Sequence, residues 1–148
     1  FDMQKYNLQY LMRIYEQNYR LLLRLVPNLD DVEEGDISSG QEDAMSLHLS
    51  VLERNSYTVT VHLTYLIPKE GGGFKATPDL QIRLYHDAKV AEVYLYNKHG
   101  QVDAQQFGIS VGDSEITSRC KINAFLEKWL AYCVSCGHQF SSNVALTS

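Results

Sequence analysis

Cys133-Val134-Ser135-Cys136 sets two thiols one helical turn apart, the spacing used by redox pairs and by metal sites. Redox Cys-x-x-Cys pairs sit at helix N-termini, where the positive dipole end favours a thiolate. This pair falls in the last turn of a helical segment that stops at Gly137, where the dipole disfavours one. Haem attachment requires His directly after the second Cys, and Gly137 separates Cys136 from His138. A zinc site needs two further ligands, for which Cys120 with His138 or His99 is the best the chain offers. The expectation is a core Cys133 and an inert, half-exposed Cys136, with no metal and no cofactor.

Arg83-Leu84-Tyr85-His86-Asp87 is the second candidate. A histidine beside an aspartate at a turn, near an arginine, could serve a small hydrolase or isomerase: His86 and Asp87 as acid and base, Arg83 holding an anionic substrate. The plainer reading has Asp87 making the turn and Arg83 facing Glu92 across a hairpin, a pair worth less than about 1 kcal/mol if exposed. Adjacent strand residues also point to opposite faces, which separates His86 from Asp87.

The third candidate is a whole surface. Aligning the strands places Ser and Thr side chains on the face turned away from the core, with His48 opposite His62, and adds Gln81, Arg83, Tyr85, Glu92, Tyr94 and Tyr96. Two facing histidines can ligate a metal, but no carboxylate or Cys is assigned beside them, so a polar pair is expected. Ten Tyr against five Phe and one Trp favour a wet contact surface, because the tyrosine ring is rigid and its hydroxyl hydrogen-bonds.

These residues need a scaffold. A chain of 148 residues, 45% hydrophobic and with 3 prolines, has material for one core, so a single domain over residues 1–148 is expected. The 13 Lys+Arg against 18 Asp+Glu leave a net charge of −5, which disfavours nucleic acid and anionic membranes as partners. Apolar runs fall far short of the ~20 residues of a membrane span. Phe1-Asp2-Met3-Gln4-Lys5 has no basic stretch leading into an apolar one, so no secretory signal is read there. Three cysteines, an odd count, read as reduced thiols and a cytoplasmic location.

Leu8, Leu11, Met12, Tyr15, Tyr19, Leu22, Leu23 and Val26 recur in steps of three and four, which predicts an amphipathic helix ended by Pro27. Its polar face carries Arg13, Glu16, Gln17, Arg20 and Arg24. Residues 28–43 hold seven of the 18 acidic residues and read as a solvated loop without EF-hand spacing. Met45, Leu47, Leu49, Val51 and then Tyr57, Val59, Val61, Leu63, Tyr65 alternate with polar residues, as half-buried strands do. A turn at Arg54-Asn55-Ser56 would pair Val51 with Val59 and Leu49 with Val61. Lys69-Glu70-Gly71-Gly72-Gly73 and Pro78 mark a flexible connection that lacks the phosphate-loop and dinucleotide spacings.

A second hairpin turning at Asp87-Ala88 would set Leu84 opposite Ala91, Ile82 opposite Val93 and Leu80 opposite Leu95, with Arg83 facing Glu92 and Gln81 facing Tyr94. Residues 98–118 read as loop with one short strand around 107–111. The last element, a helix capped at Ser118 and stopped by Gly137, has Ile122, Phe125, Leu126, Trp129, Leu130 and Cys133 on one face. Residues 141–148 read as a frayed tail.

Three blocks carry a resemblance: Met12-Arg13-Ile14-Tyr15-Glu16-Gln17-Asn18-Tyr19 through Leu25-Val26-Pro27, then Arg83-Leu84-Tyr85-His86-Asp87-Ala88-Lys89-Val90-Ala91-Glu92-Val93, then Asn123-Ala124-Phe125-Leu126-Glu127-Lys128-Trp129-Leu130-Ala131-Tyr132-Cys133. In these the chain resembles the YqiB-like family of small gammaproteobacterial proteins. The resemblance implies a cytoplasmic domain of unknown function with no assigned catalytic residue, so it transfers no site.

The sequence thus predicts an α+β domain: an antiparallel sheet of at least four strands with an amphipathic helix at each end, both packed on one face. The favoured function is a non-catalytic binding or regulatory module in which Arg83, Tyr85, Glu92 and Tyr94 meet a protein partner or a small anionic ligand. The alternative is the small hydrolase or isomerase built on His86, Asp87 and Arg83.

Overall fold

Period-2 alternation produces four of the five strands, and the steps of three and four produce two helices. The computed structural model describes residues 5–31, 36–39, 46–95 and 107–140. Helix α1 spans Leu8–Leu25 and is followed by strands β1 (Asp36–Ser39), β2 (Ser46–Arg54), β3 (Thr58–Pro68), β4 (Phe74–Tyr85) and β5 (Val90–Leu95), then by helix α2 (Glu115–Ser135). The strands form one sheet in the order β1-β2-β3-β4-β5, each antiparallel to its neighbour. Leu47, Leu49, Val59, Val61, Leu63, Leu80, Ile82 and Leu84 share a buried cluster with Leu22 and Leu25 of α1 and Leu126, Trp129 and Leu130 of α2. Among the described residues no helix is long and apolar enough to cross a membrane.

The expected faces are present, but the first hairpin slips by two residues. Val51 pairs with Val61 and Leu49 with Leu63, not with Val59 and Val61. A slip of two preserves which side chains face the core, so hydrophobic alternation alone cannot exclude it. Arg54 stays in the strand, the extra residue is absorbed in a bulge between Val51 and Glu53, and Asn55 N–H donates to Thr58 O at 2.8 Å to close the turn. In consequence His62 faces Ser50, and His48 faces Thr64.

The second hairpin keeps Leu84 opposite Ala91, Ile82 opposite Val93 and Arg83 opposite Glu92. Beyond Ile82 a bulge sets Gln81 opposite Leu95, so neither the Gln81–Tyr94 nor the Leu80–Leu95 pairing forms. Its loop closes through Lys89, whose φ of 58° lets its N–H reach Tyr85 O at 2.8 Å. Pro78 lies inside β4 and not in a flexible connection. It sits where the ladder to β3 breaks between Thr64 and Leu66, a position that tolerates a residue without an N–H. Gly71, Gly72 and Gly73 form the β3–β4 tip with φ of 90°, 109° and 79°, backbone that other residues rarely adopt.

Within residues 28–43, read as loop, a short 3₁₀ turn at Leu29–Asp31 buries Leu29 and β1 pairs with β2. Around residues 107–111 there is no strand: Phe107 packs its ring edge-to-face on Phe125 with centroids 4.8 Å apart. α2 begins earlier than its apolar stripe indicates, because Ser114, not Ser118, accepts from Thr117 N–H and caps it. On α1 the buried side is Leu11, Ile14, Asn18, Tyr19, Leu21, Leu22 and Leu25, while Leu8 and Met12 are exposed, because α1 turns Asn18 toward α2. His99, Tyr96 and the tail 141–148 lie outside the described residues.

One polar residue ties the layers together. Asn123 of α2, 2% exposed, accepts from the Val93 N–H on the outer edge of β5 at 2.8 Å and donates to Arg119 O at 2.9 Å. Its own carbonyl accepts from Asn18 Nδ2 of α1 at 3.3 Å.

Candidate functional site

Strand alternation turns Thr60, His62, Arg83 and Tyr85 onto the face of the sheet opposite the core, while Glu92, on the edge strand β5, also reaches Arg119 of α2. Arg83 is held on that face from three directions. Its guanidinium carbon lies 3.6 Å from the centroid of the Tyr94 ring, Nε donates to Thr60 Oγ1 at 3.0 Å, and one terminal nitrogen meets Glu53 Oε1 at 3.3 Å. The backbone register opposes Arg83 to Glu92, yet the ion pair goes to Glu53, which the bulge at Leu52 sets opposite Thr60 and so beside Arg83.

Glu92 serves another cluster. It accepts from Tyr85 Oη at 2.8 Å and lies 4.0 Å from Arg119 of α2. Burial and then the neighbouring Glu92 carboxylate push the Tyr15 hydroxyl up to about 12, and the same two causes raise Tyr85. Of the four expected ligand-binding residues, the structure therefore couples Arg83 with Tyr94 and Tyr85 with Glu92.

The acid/base candidates separate. His86 turns toward α1, with Nδ1 2.9 Å from Tyr19 Oη and Nε2 3.9 Å from Asp30 Oδ1. Asp87 bonds its own turn, accepting from Ala88 N–H at 2.9 Å. Arg83 stands on the other face, so His86, Asp87 and Arg83 share no cleft. A cavity of about 340 Å³ lies between Tyr6, Phe107 and Phe125, and a wider opening of about 1170 Å³ runs along the start of α1; neither is lined by the three residues.

Sequence reasoning missed Glu53, Thr60 and Tyr19 as partners. Glu53 depends on the bulge in the first hairpin, Thr60 on the β3–β4 register that sets it opposite Arg83, and Tyr19 on a contact across 67 residues.

His62 pairs with Asp79 on the outer face, and His48 lies opposite Thr64. Among the described residues no three His, Cys, Asp or Glu side chains are grouped to hold a metal. The three thiols are unbridged: Cys120 and Cys133 are buried and Cys136 is partly exposed at the end of α2. Burial pushes Cys133 up to about 11 and raises Cys120 as well. Iodoacetamide should therefore label the native protein once, at Cys136, with Cys120 and Cys133 reacting only after unfolding. Peptide mass spectrometry reads this directly, and native-state label on Cys133 would contradict the packing.

The sequence profile of a family described as "Protein of unknown function (DUF1249)" matches residues 21–139. The chain is 31% identical over 127 residues to "Uncharacterized protein YqiB" of Escherichia coli strain K12, covering 86% of this chain and 88% of the relative. The same identity and coverage hold for the proteins of that name from Escherichia coli O6:H1 and O157:H7. No solved structure matches.

Proposed function

The chain belongs to DUF1249, a family of proteins of unknown function, and for this member we propose a non-catalytic binding or regulatory module that presents the outer face of its sheet to a protein partner. The observation that carries this reading is the stack of Arg83 on Tyr94, tethered at Thr60 and Glu53. A guanidinium already fixed at three points has little side-chain freedom left to lose on binding. Arg and Tyr are also among the residues that most often dominate binding energy at interface centres. Tyr94 keeps 41% of its surface exposed, and Tyr57 and Leu52 are exposed as well.

Glu53 beside Arg83 answers the positive charge, which favours a polar protein surface over a small anion at this spot. The unbridged thiols support a reducing compartment, and we place the protein in the cytoplasm.

Affinity capture from a cytosolic extract with wild type, Arg83→Ala/Tyr94→Ala and the hairpin-tip control Glu70→Ala tests the reading. The expected result is a partner recovered with wild type and control but reduced about tenfold, some 1.4 kcal/mol, by the double change at unaltered fold. Equal recovery by all three removes the outer face as the site. Thermal stabilisation by a sugar phosphate or small carboxylate, lost in Arg83→Ala, would transfer the site to a small anion instead.

A further inference from the structure

Lys121, Ala124, Phe125 and Lys128 follow one another at helical spacing along a single stripe of α2. That stripe meets Tyr6 and the Phe107-Gly108 turn around the cleft of about 340 Å³. Phe107 and Phe125 meet edge-to-face at 73°, and Phe125 leans on the buried Trp129 behind the cleft with centroids 6.5 Å apart, so the aromatic lining is backed by the core. Ala124 and Gly108 bring little bulk to it; a Cβ placed on Gly108 would meet nothing within 4 Å.

The two lysines differ. The Lys121 ammonium lies 2.8 Å from Asp113 Oδ2, and this contact with the Ser110 N–H holds the Asp113 carboxyl below the usual carboxylate range. Lys128 is exposed and has no ion-pair partner among the described residues. The cleft therefore joins an aromatic lining to a lysine that has no ion-pair partner among the described residues.

We propose that this cleft binds a small planar aromatic monoanion, an aryl carboxylate, with its ring against Phe107 and Phe125 and its carboxylate at Lys128. The volume is at the lower end of small-molecule sites, which are about 300 Å³ or larger, and their usual lining is mainly hydrophobic and aromatic with a few placed polar groups. A second negative charge on the ligand would have to displace Asp113 from Lys121, so a monoanion fits better than a dianion. This surface is separate from the Arg83–Tyr94 face, and either proposal can fail without the other.

Naphthoate titrated into the full chain, followed by calorimetry and by the fluorescence of Trp129, tests it. Naphthamide keeps the ring without the charge, and cyclohexanecarboxylate keeps the charge without the aromatic plane. Naphthoate should bind in the micromolar to millimolar range, with each analogue at least about fivefold weaker. Ala124→Leu, which fills the cleft at a partly exposed helical position, should abolish binding. Lys128→Gln, at an exposed position that leaves the fold intact, should weaken it about fivefold, and Arg83→Ala should leave it unchanged. No binding at millimolar naphthoate, or binding that either cleft variant leaves unaltered, overturns the proposal.

Discussion

Asn123→Ala should destabilise the protein by about 2–4 kcal/mol, far more than its small change in apolar surface would suggest. The side chain is 2% exposed and supplies the acceptor for Val93 N–H on the outer edge of β5. Removing it leaves a buried donor without a partner, which costs about 1–3 kcal/mol, and the deleted volume adds a packing loss. Urea unfolding with unchanged m-value would register the effect, as would a fall in Tm on the order of 10 °C. Asn123→Asp keeps an acceptor for Val93 but turns an oxygen toward Arg119 O and buries a charge. Burial raises the pKa of such a carboxyl, so this variant should be weakest at neutral pH and regain stability as pH falls and the group protonates. A loss below about 1 kcal/mol for Asn123→Ala would mean that water reaches the edge of β5.

Phe140→Ala should cost about 3–5 kcal/mol. The ring is 1% exposed in the main core, and the backbone N–H of Phe140 donates to Leu25 O at 2.7 Å. That carbonyl is one of the last four of α1, which have no partner inside the helix. The residues after Gly137 thus fasten the end of α1 to the end of α2, with His138, 5% exposed, tilted against Tyr65 at 5.6 Å. Phe140→Leu should lose less than half as much, because it keeps most of the apolar volume and the backbone bond. A cost below about 1.5 kcal/mol for Phe140→Ala would show that the core collapses into the space left by the ring.

These two residues mark where the sequence stops being informative. Strand faces were legible because Val59, Val61, Ile82 and Leu84 alternate with polar neighbours, and burial follows that alternation. The β4–β5 register was legible near its turn because Arg83 opposes Glu92 while Leu84 opposes Ala91. Its extension was not, since a bulge at Gln81 changes no residue type. Asn123 and Phe140 could not be singled out: an Asn in an apolar stripe reads as an interruption, and a Phe three residues beyond a helix-stopping Gly belongs to no periodic pattern that would bury it. Both acquire their roles from residues far along the chain. The site follows the same rule. Types and face were readable for Arg83, Tyr85, Glu92 and Tyr94, but the partners were not, because Glu53 comes into range through a bulge at Leu52 and Thr60 through the β3–β4 register, and hydrophobic alternation determines neither.

The strand order, in which every strand lies beside its predecessor, has a consequence for synthesis. Each hairpin can zip as soon as it leaves the ribosome, yet α2, which must cover Leu80, Ile82 and Leu84, is made last. At about 5–20 residues per second, the stretch from Leu95 to Phe140 takes on the order of seconds to emerge. During that interval the nascent sheet carries an oily side shielded only by α1, whose own partner Asn123 lies 105 positions downstream of Asn18. The meander that makes pairing local thereby creates a window in which a trigger-type chaperone, or another nascent copy, competes for the ground that α2 will occupy.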